Sequence, residues 1–124
     1  MNPIHFSFED LKVYQKALEF VDDVYELCKE FPKEETYRLT SQFIRAATSI
    51  ALNIAEGAGN TNAQFNRFLQ IAIGSIKESV VCITIARRQE YISSKKEIKL
   101  KTQLVELSKM PNSLQNYLKK EIKN

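Results

Sequence analysis

Residues 39–57 read LTSQFIRAATSIALNIAEG, and residues 65–86 read FNRFLQIAIGSIKESVVCITIA. From Phe43 to Ala55 the only charged residue is Arg45, and from Phe68 to Ala86 only Lys77 and Glu78 are charged. Apolar residues recur in both at spacings of three and four, the period of a helix face. Between them, Gly57-Ala58-Gly59-Asn60 suits a left-handed helix C-cap followed by a turn. Thr61-x-x-Gln64 then has the form of a capping box that opens the next helix. The centre of the chain is therefore expected to be two long apolar helices joined by a tight turn.

Working outward, Ser7 is expected to cap a first helix, with Glu9 and Asp10 in its first turn. Phe8, Leu11, Tyr14, Leu18, Val21, Tyr25 and Cys28 form one apolar stripe on it, opposite Lys12, Lys16, Glu19, Asp22, Asp23, Glu26 and Lys29. Phe31-Pro32 ends it, because a residue before proline avoids helical geometry. On the other side, Ser94-x-x-Glu97 is a second capping box and opens a fourth helix that meets Pro111. Proline inside a helix removes a hydrogen bond, so a bend or two shorter helices are expected there. The reading is an all-α, antiparallel up-down-up-down four-helix bundle in one domain, 1–124, with helices at about 8–30, 34–57, 62–91 and 95–123.

The balance of 44% hydrophobic and 27% charged residues is that of a globular domain. No uninterrupted apolar run reaches the roughly 18 residues of a membrane span, and Met1–Phe8 lacks a signal-peptide pattern. A cytoplasmic protein without membrane contact is expected. Cys28 and Cys82 sit in apolar helical patterns and are expected as small buried hydrophobes.

The two central helices carry more apolar surface than one narrow core can hold. Phe65, Phe68, Leu69, Ile71, Ala72, Ile73, Ile76, Val80, Val81, Ile83 and Ile85 go most of the way round theirs. The surplus is expected to meet further copies of the chain, since contiguous exposed apolar area is rare on monomers. Polar residues also lie among these apolar faces. Arg45, Ser49, Asn53 and Glu56 share one face, and Arg67, Gly74, Ser75 and Glu78 form a comparable track. In antiparallel helices Glu56 could meet Arg67 and Arg45 could meet Glu78. The expectation is a buried structural network of Arg45, Ser49, Asn53, Glu56, Arg67 and Glu78 that sets helix register. The competing reading is an acid–base pocket built on Glu56 and Glu78.

No catalytic, cofactor or metal residues are assigned. The single histidine, His5, precedes the first helix and is expected as a mobile surface residue, so a di-iron or zinc centre of ordinary type has no ligand set. There is no Cys-x-x-Cys, no Ser-His-Asp set and no phosphate-binding Gly-rich loop.

Charge is unevenly placed. Residues 1–86 hold eight Lys/Arg against eleven Asp/Glu, whereas residues 87–124 hold ten against four. Candidate phosphate contacts are Arg87, Arg88, Lys95, Lys96, Lys99 and Lys101, followed by Lys109, Lys119, Lys120 and Lys123. The alternative is a solvated face.

Leu39, Gln42, Arg45-Ala46-Ala47, Ser49-Ile50 and Asn53-Ile54-Ala55-Glu56-Gly57 together resemble the signature of small four-helix bundle proteins known from intervening sequences in 23S ribosomal RNA genes. Phe8, Leu11, Val13, Tyr14 and Ala17 resemble that family's opening, Pro32 and Glu35 its first connection, and Phe65, Phe68, Leu69, Ala72, Gly74-Ser75 and Glu78 its third helix. The similarity covers roughly residues 6–92. One departure is Ile44 before Arg45, where the family often has a basic pair. The resemblance implies a cyclic homo-oligomer, a pentamer with a central channel. It also implies kinship to accessory proteins of diversity-generating retroelements, which bind nucleic acid and a reverse transcriptase through a basic surface. The functional expectation is a non-enzymatic oligomeric scaffold that binds RNA, or nucleic acid generally, and needs no cofactor. The alternative is an adaptor that docks a protein such as a reverse transcriptase.

Overall fold

The computed structural model describes residues 4–123, with no side-chain description for residue 112 or from residue 116 onward. The described residues form helices and no strand: α1 (Lys12–Cys28), α2 (Leu39–Gly57), α3 (Asn62–Arg88) and α4 (Ser94–Lys123), with short 3-10 turns at Ser7–Asp10 and Lys33–Glu35. α1 packs on α2 and α4, and α3 packs on α2 and α4. The core is a run of three- and four-residue steps from every helix. It takes Val13, Ala17, Phe20, Val24 and Leu27 from α1, Phe43, Ala47, Ile50 and Ile54 from α2, Leu69, Ala72, Ile76 and Ile83 from α3, with the buried Ser79 between the last two, and Leu100, Leu104 and Leu107 from α4. Each large apolar side chain buried there contributes about 1.5–3 kcal/mol. Phe43 joins the layers, its ring centroid 6.4 Å from those of both Phe20 and Phe31.

The stripe expected on α1 is displaced by one position. The buried line is Val13, Ala17, Phe20, Val24 and Leu27, while Leu18 and Tyr25 are exposed and Tyr14 and Val21 half-buried. α1 has two adjacent apolar stripes. The one that carries Phe20 goes inward, where α1 packs on α2 and α4. The other, with Phe8, lines an open groove against Thr48, Ala51, Leu52 and Ala55 of α2.

Several helix ends also differ from expectation. Ser7 sits inside a 3-10 turn and caps nothing, and it is Glu9 that accepts the Phe6 amide at 3.1 Å. α2 starts at Leu39 rather than near residue 34, because Lys33–Glu35 closes a separate turn and Glu35 Oε1 takes the Leu39 amide at 3.5 Å. Thr61 caps α3 as expected, its hydroxyl accepting the Gln64 amide at 3.2 Å. α3 ends at Arg88, where Glu90 takes a left-handed φ of 64° and Tyr91 N donates to Ala86 O at 2.9 Å. The cap of α4 is Ser93, not Ser94: its hydroxyl accepts the Lys96 amide at 3.2 Å, and Glu97 pairs instead with Lys101. α4 runs through Pro111 without dividing, and the Pro111 ring is buried.

α3 is long and apolar enough to cross a membrane by length and composition, although polar and charged residues interrupt its apolar run. Core helices pass the same test, and α3 packs between α2 and α4.

Candidate nucleic-acid interface

The chain folds so that the end of α1, the start of α2 and the α3–α4 turn share one end of the bundle. Tyr91 is the clasp. Its hydroxyl donates to Glu35 Oε2 at 2.8 Å, and its ring lies 5.6 Å from that of Phe31. Donation to Glu35 would be lost on ionisation, which raises the Tyr91 pKa above its ordinary value. Lys96 reaches across to Glu30 and adds a second tie between α4 and α1.

The clasp brings several sequence-predicted cations together. Arg88 and Lys95 are exposed, Arg87 is half-buried, and none of the three is ion-paired among the described residues. Two basic residues in the last turn of α3 also complement the negative end of its dipole. Other candidates are compensated. Lys96 is held by Glu30, Lys101 by Glu97 at 2.9 Å, and Lys99 lines a groove with Asp23, Glu26 and Glu30. Lys109 lies farther along α4 and is exposed. The side chains of Lys119, Lys120 and Lys123 lie outside the described residues. Among the described residues the uncompensated cations gather at the α3–α4 turn, with Lys109 exposed farther along α4. Sequence reasoning missed Lys33 and Arg38 in the first connection, which the Tyr91–Glu35 bond carries to the same end. A long-range bond of that kind has no local signal.

The expected polar network forms only in part. Ser75 Oγ donates to Ser49 Oγ at 2.8 Å, and Asn53 Nδ2 donates to Ser49 Oγ at 3.0 Å and to Ser49 O at 2.8 Å. Arg45, Glu56, Arg67 and Glu78 are exposed in the single chain, and the expected Glu56–Arg67 and Arg45–Glu78 pairs do not form. These long side chains reach past the contact into water, where an ion pair gains little. Arg45 and Glu78 nevertheless line one groove, with Gln42, Ser49, Gly74 and Ser75. Glu56 is not part of it. Glu56 is eleven residues along α2 from Arg45, about 16 Å at helical rise, so one chain does not bring Glu56 and Glu78 into a shared pocket.

Cys28 and Cys82 are buried free thiols, as expected, and burial pushes them up to about 12 and about 11. No group of three or more His, Cys, Asp and Glu suited to a metal occurs among the described residues. His5 is exposed but tethered, with Nε2 3.0 Å from Asp10 and Nδ1 3.1 Å from Glu9. The hydrogen bond to Asp10 is the main cause that raises its pKa above 6.5.

No curated protein matches the chain. A solved structure, described as a protein with unknown function from the S23 ribosomal protein family of Bacteroides thetaiotaomicron, has 28% identity and a TM-score of 0.74, covering 82% of this chain and 96% of that one. The sequence profile described as "23S rRNA-intervening sequence protein" matches residues 9–113, which extends the similarity past residue 92 and into α4. With that profile covering α1 to α3 and reaching residue 113 in α4, the chain belongs to the family of 23S rRNA-intervening sequence proteins.

Proposed function

We propose that this chain is a non-catalytic, cytoplasmic scaffold of up-down-up-down bundles in a ring, a pentamer, that binds RNA through phosphate contacts without a cofactor. The observation that carries the reading is the group of unpaired cations Arg87, Arg88 and Lys95, held at one end of the bundle by the Tyr91–Glu35 clasp. The family's description, with its reference to 23S rRNA, is consistent with it. Self-association is supported by Leu52, Ile71, Val81 and Ile85, which stay exposed on the central helices. A ring would repeat a weak cationic patch, and avidity would strengthen it without new contacts.

The test is light scattering with size separation, with and without a short structured RNA. A ring that shifts with RNA at low salt and returns at high salt is expected, because phosphate binding releases counterions. Arg87→Glu with Arg88→Glu should abolish the shift and leave assembly intact. Salt-insensitive binding, or binding that ignores this double change, would overturn the reading.

A second reading, a protein adaptor docking a partner such as a polymerase, is favoured by one observation. Ile98 is 66% exposed on α4 between Lys95 and Lys99, a mixed apolar and basic face suited to an acidic protein surface. An adaptor's complex would survive excess RNA competitor.

A further inference from the structure

Tyr37 is 93% exposed, in the connection just before α2. A large aromatic side chain is seldom so bare, because its ring is better covered than wet. Among the described residues it makes no ring contact and no side-chain hydrogen bond. The backbone on either side of it, by contrast, is hydrogen-bonded. Thr36 N donates to Lys33 O at 3.1 Å and Arg38 N to Glu35 O at 2.9 Å, while the Glu35 carboxylate receives both Tyr91 Oη and the Leu39 amide. The ring is thus displayed on an ordered support, so little further backbone ordering is needed when it binds.

Its surroundings say what would cover it. Lys33 and Arg38 flank it in sequence, and the Tyr91–Glu35 bond puts Arg87, Arg88 and Lys95 at the same end of the bundle. Of the nearby carboxylates, Glu30 is paired with Lys96, whereas Glu35, hydrogen-bonded only by the neutral Tyr91 and Leu39 donors, keeps its charge; Glu34, Glu35 and Glu90 thus stand against the five cations Lys33, Arg38, Arg87, Arg88 and Lys95. A second copy of the chain would suit the apolar residues along the helices, such as Leu52, Ile71 and Val81, better than a ring among positive charges. Cations with a bare aromatic ring are the pair of features that single-stranded nucleic acid engages: phosphates meet the former, and an unpaired base stacks on the latter. A duplex offers the phosphates but keeps its bases stacked inside.

We propose that Tyr37, beside Lys33 and Arg38 and at the same end as the Arg87–Lys95 turn, is a base-stacking platform that makes this end of the bundle prefer single-stranded nucleic acid to duplex. The inference rests on the nucleic-acid-binding reading above. The test measures binding of a short labelled oligoadenylate and of an RNA duplex of equal length to the wild-type protein, Tyr37→Ala, Tyr37→Trp and the Arg87→Glu/Arg88→Glu double variant. Tyr37→Ala should weaken oligoadenylate binding about 5- to 150-fold, the span of one base–aromatic stack, and leave duplex binding unchanged. Tyr37→Trp should retain it, and the double variant should weaken both probes. Equal effects of Tyr37→Ala on both probes, no effect on either, or a changed assembly size would overturn the platform while leaving phosphate binding standing. A wild-type protein that binds neither probe at low salt overturns both readings.

Discussion

Where α2 crosses α3, the chain meets itself through small groups. A Cβ built at Gly57 would lie 2.8 Å from Phe68 Cβ, and Ser49 and Ser75 touch oxygen to oxygen. Where α1 runs beside α4, long polar side chains reach across. Lys96 meets Glu30, Gln103 Nε2 donates to Asp23 at 2.7 Å, and Gln103 Oε1 is left buried with no partner among the described residues. The first contact depends on close approach, so one added atom is felt. The second depends on charges that water and salt also satisfy, so single changes are absorbed.

The largest expected effect tests the close contact. Gly57→Ala should destabilise the fold by about 1–3 kcal/mol through overpacking, read as a lowered denaturation midpoint. The Cβ of Phe68, unlike the tip of a flexible side chain, cannot swing away, so an unchanged midpoint would break the comparison. Gly74 is the matched control, because a Cβ there meets nothing within 4 Å. Gly74→Ala should therefore stabilise α3 by up to about 1 kcal/mol, the helix-propensity difference. Thermal unfolding paired with a size measurement sharpens the point: a gain in stability with loss of assembly would locate a subunit contact on that groove.

On the α1–α4 side, Lys96→Ala should cost no more than about 1 kcal/mol, with most of that cost gone at high salt. A salt-independent loss in urea melts would mean that this contact resembles the α2–α3 one after all. The smallest effect belongs to His5, another exposed charge cluster. Its folded pKa is raised above 6.5, so what it adds to holding the Ser7–Asp10 turn is fully present below pH 6.5 and lost as pH rises through the folded value. An imidazole titration by NMR with a midpoint at or below 6.5 would show that the Asp10 contact does not persist in solution.

Much of this was legible in the residues themselves. The spacing of Phe43, Ala47, Ile50 and Ile54 marks the inner face of α2, and Thr61-x-x-Gln64 marks the start of α3, because helix period and capping are local properties of the chain. The end of α3 was less legible, since no glycine marks it and Glu90 takes the left-handed position. The α1 stripe was misplaced by one residue because two apolar stripes lie side by side, and only the approach of α2 and α4 chooses between them.

The cationic site divides in the same way. The sequence by itself determined the four helices, the Gly57–Thr61 turn, the thiols' apolar settings and the excess of positive charge from residue 87 onward, all of which follow from neighbours in the chain. Only the tertiary structure decided which cations stay uncompensated. Lys96 and Glu30, or Tyr91 and Glu35, are far apart in sequence and meet only when the bundle closes, and such meetings leave Arg87, Arg88 and Lys95 unpaired at the end of the bundle that also carries the exposed Tyr37.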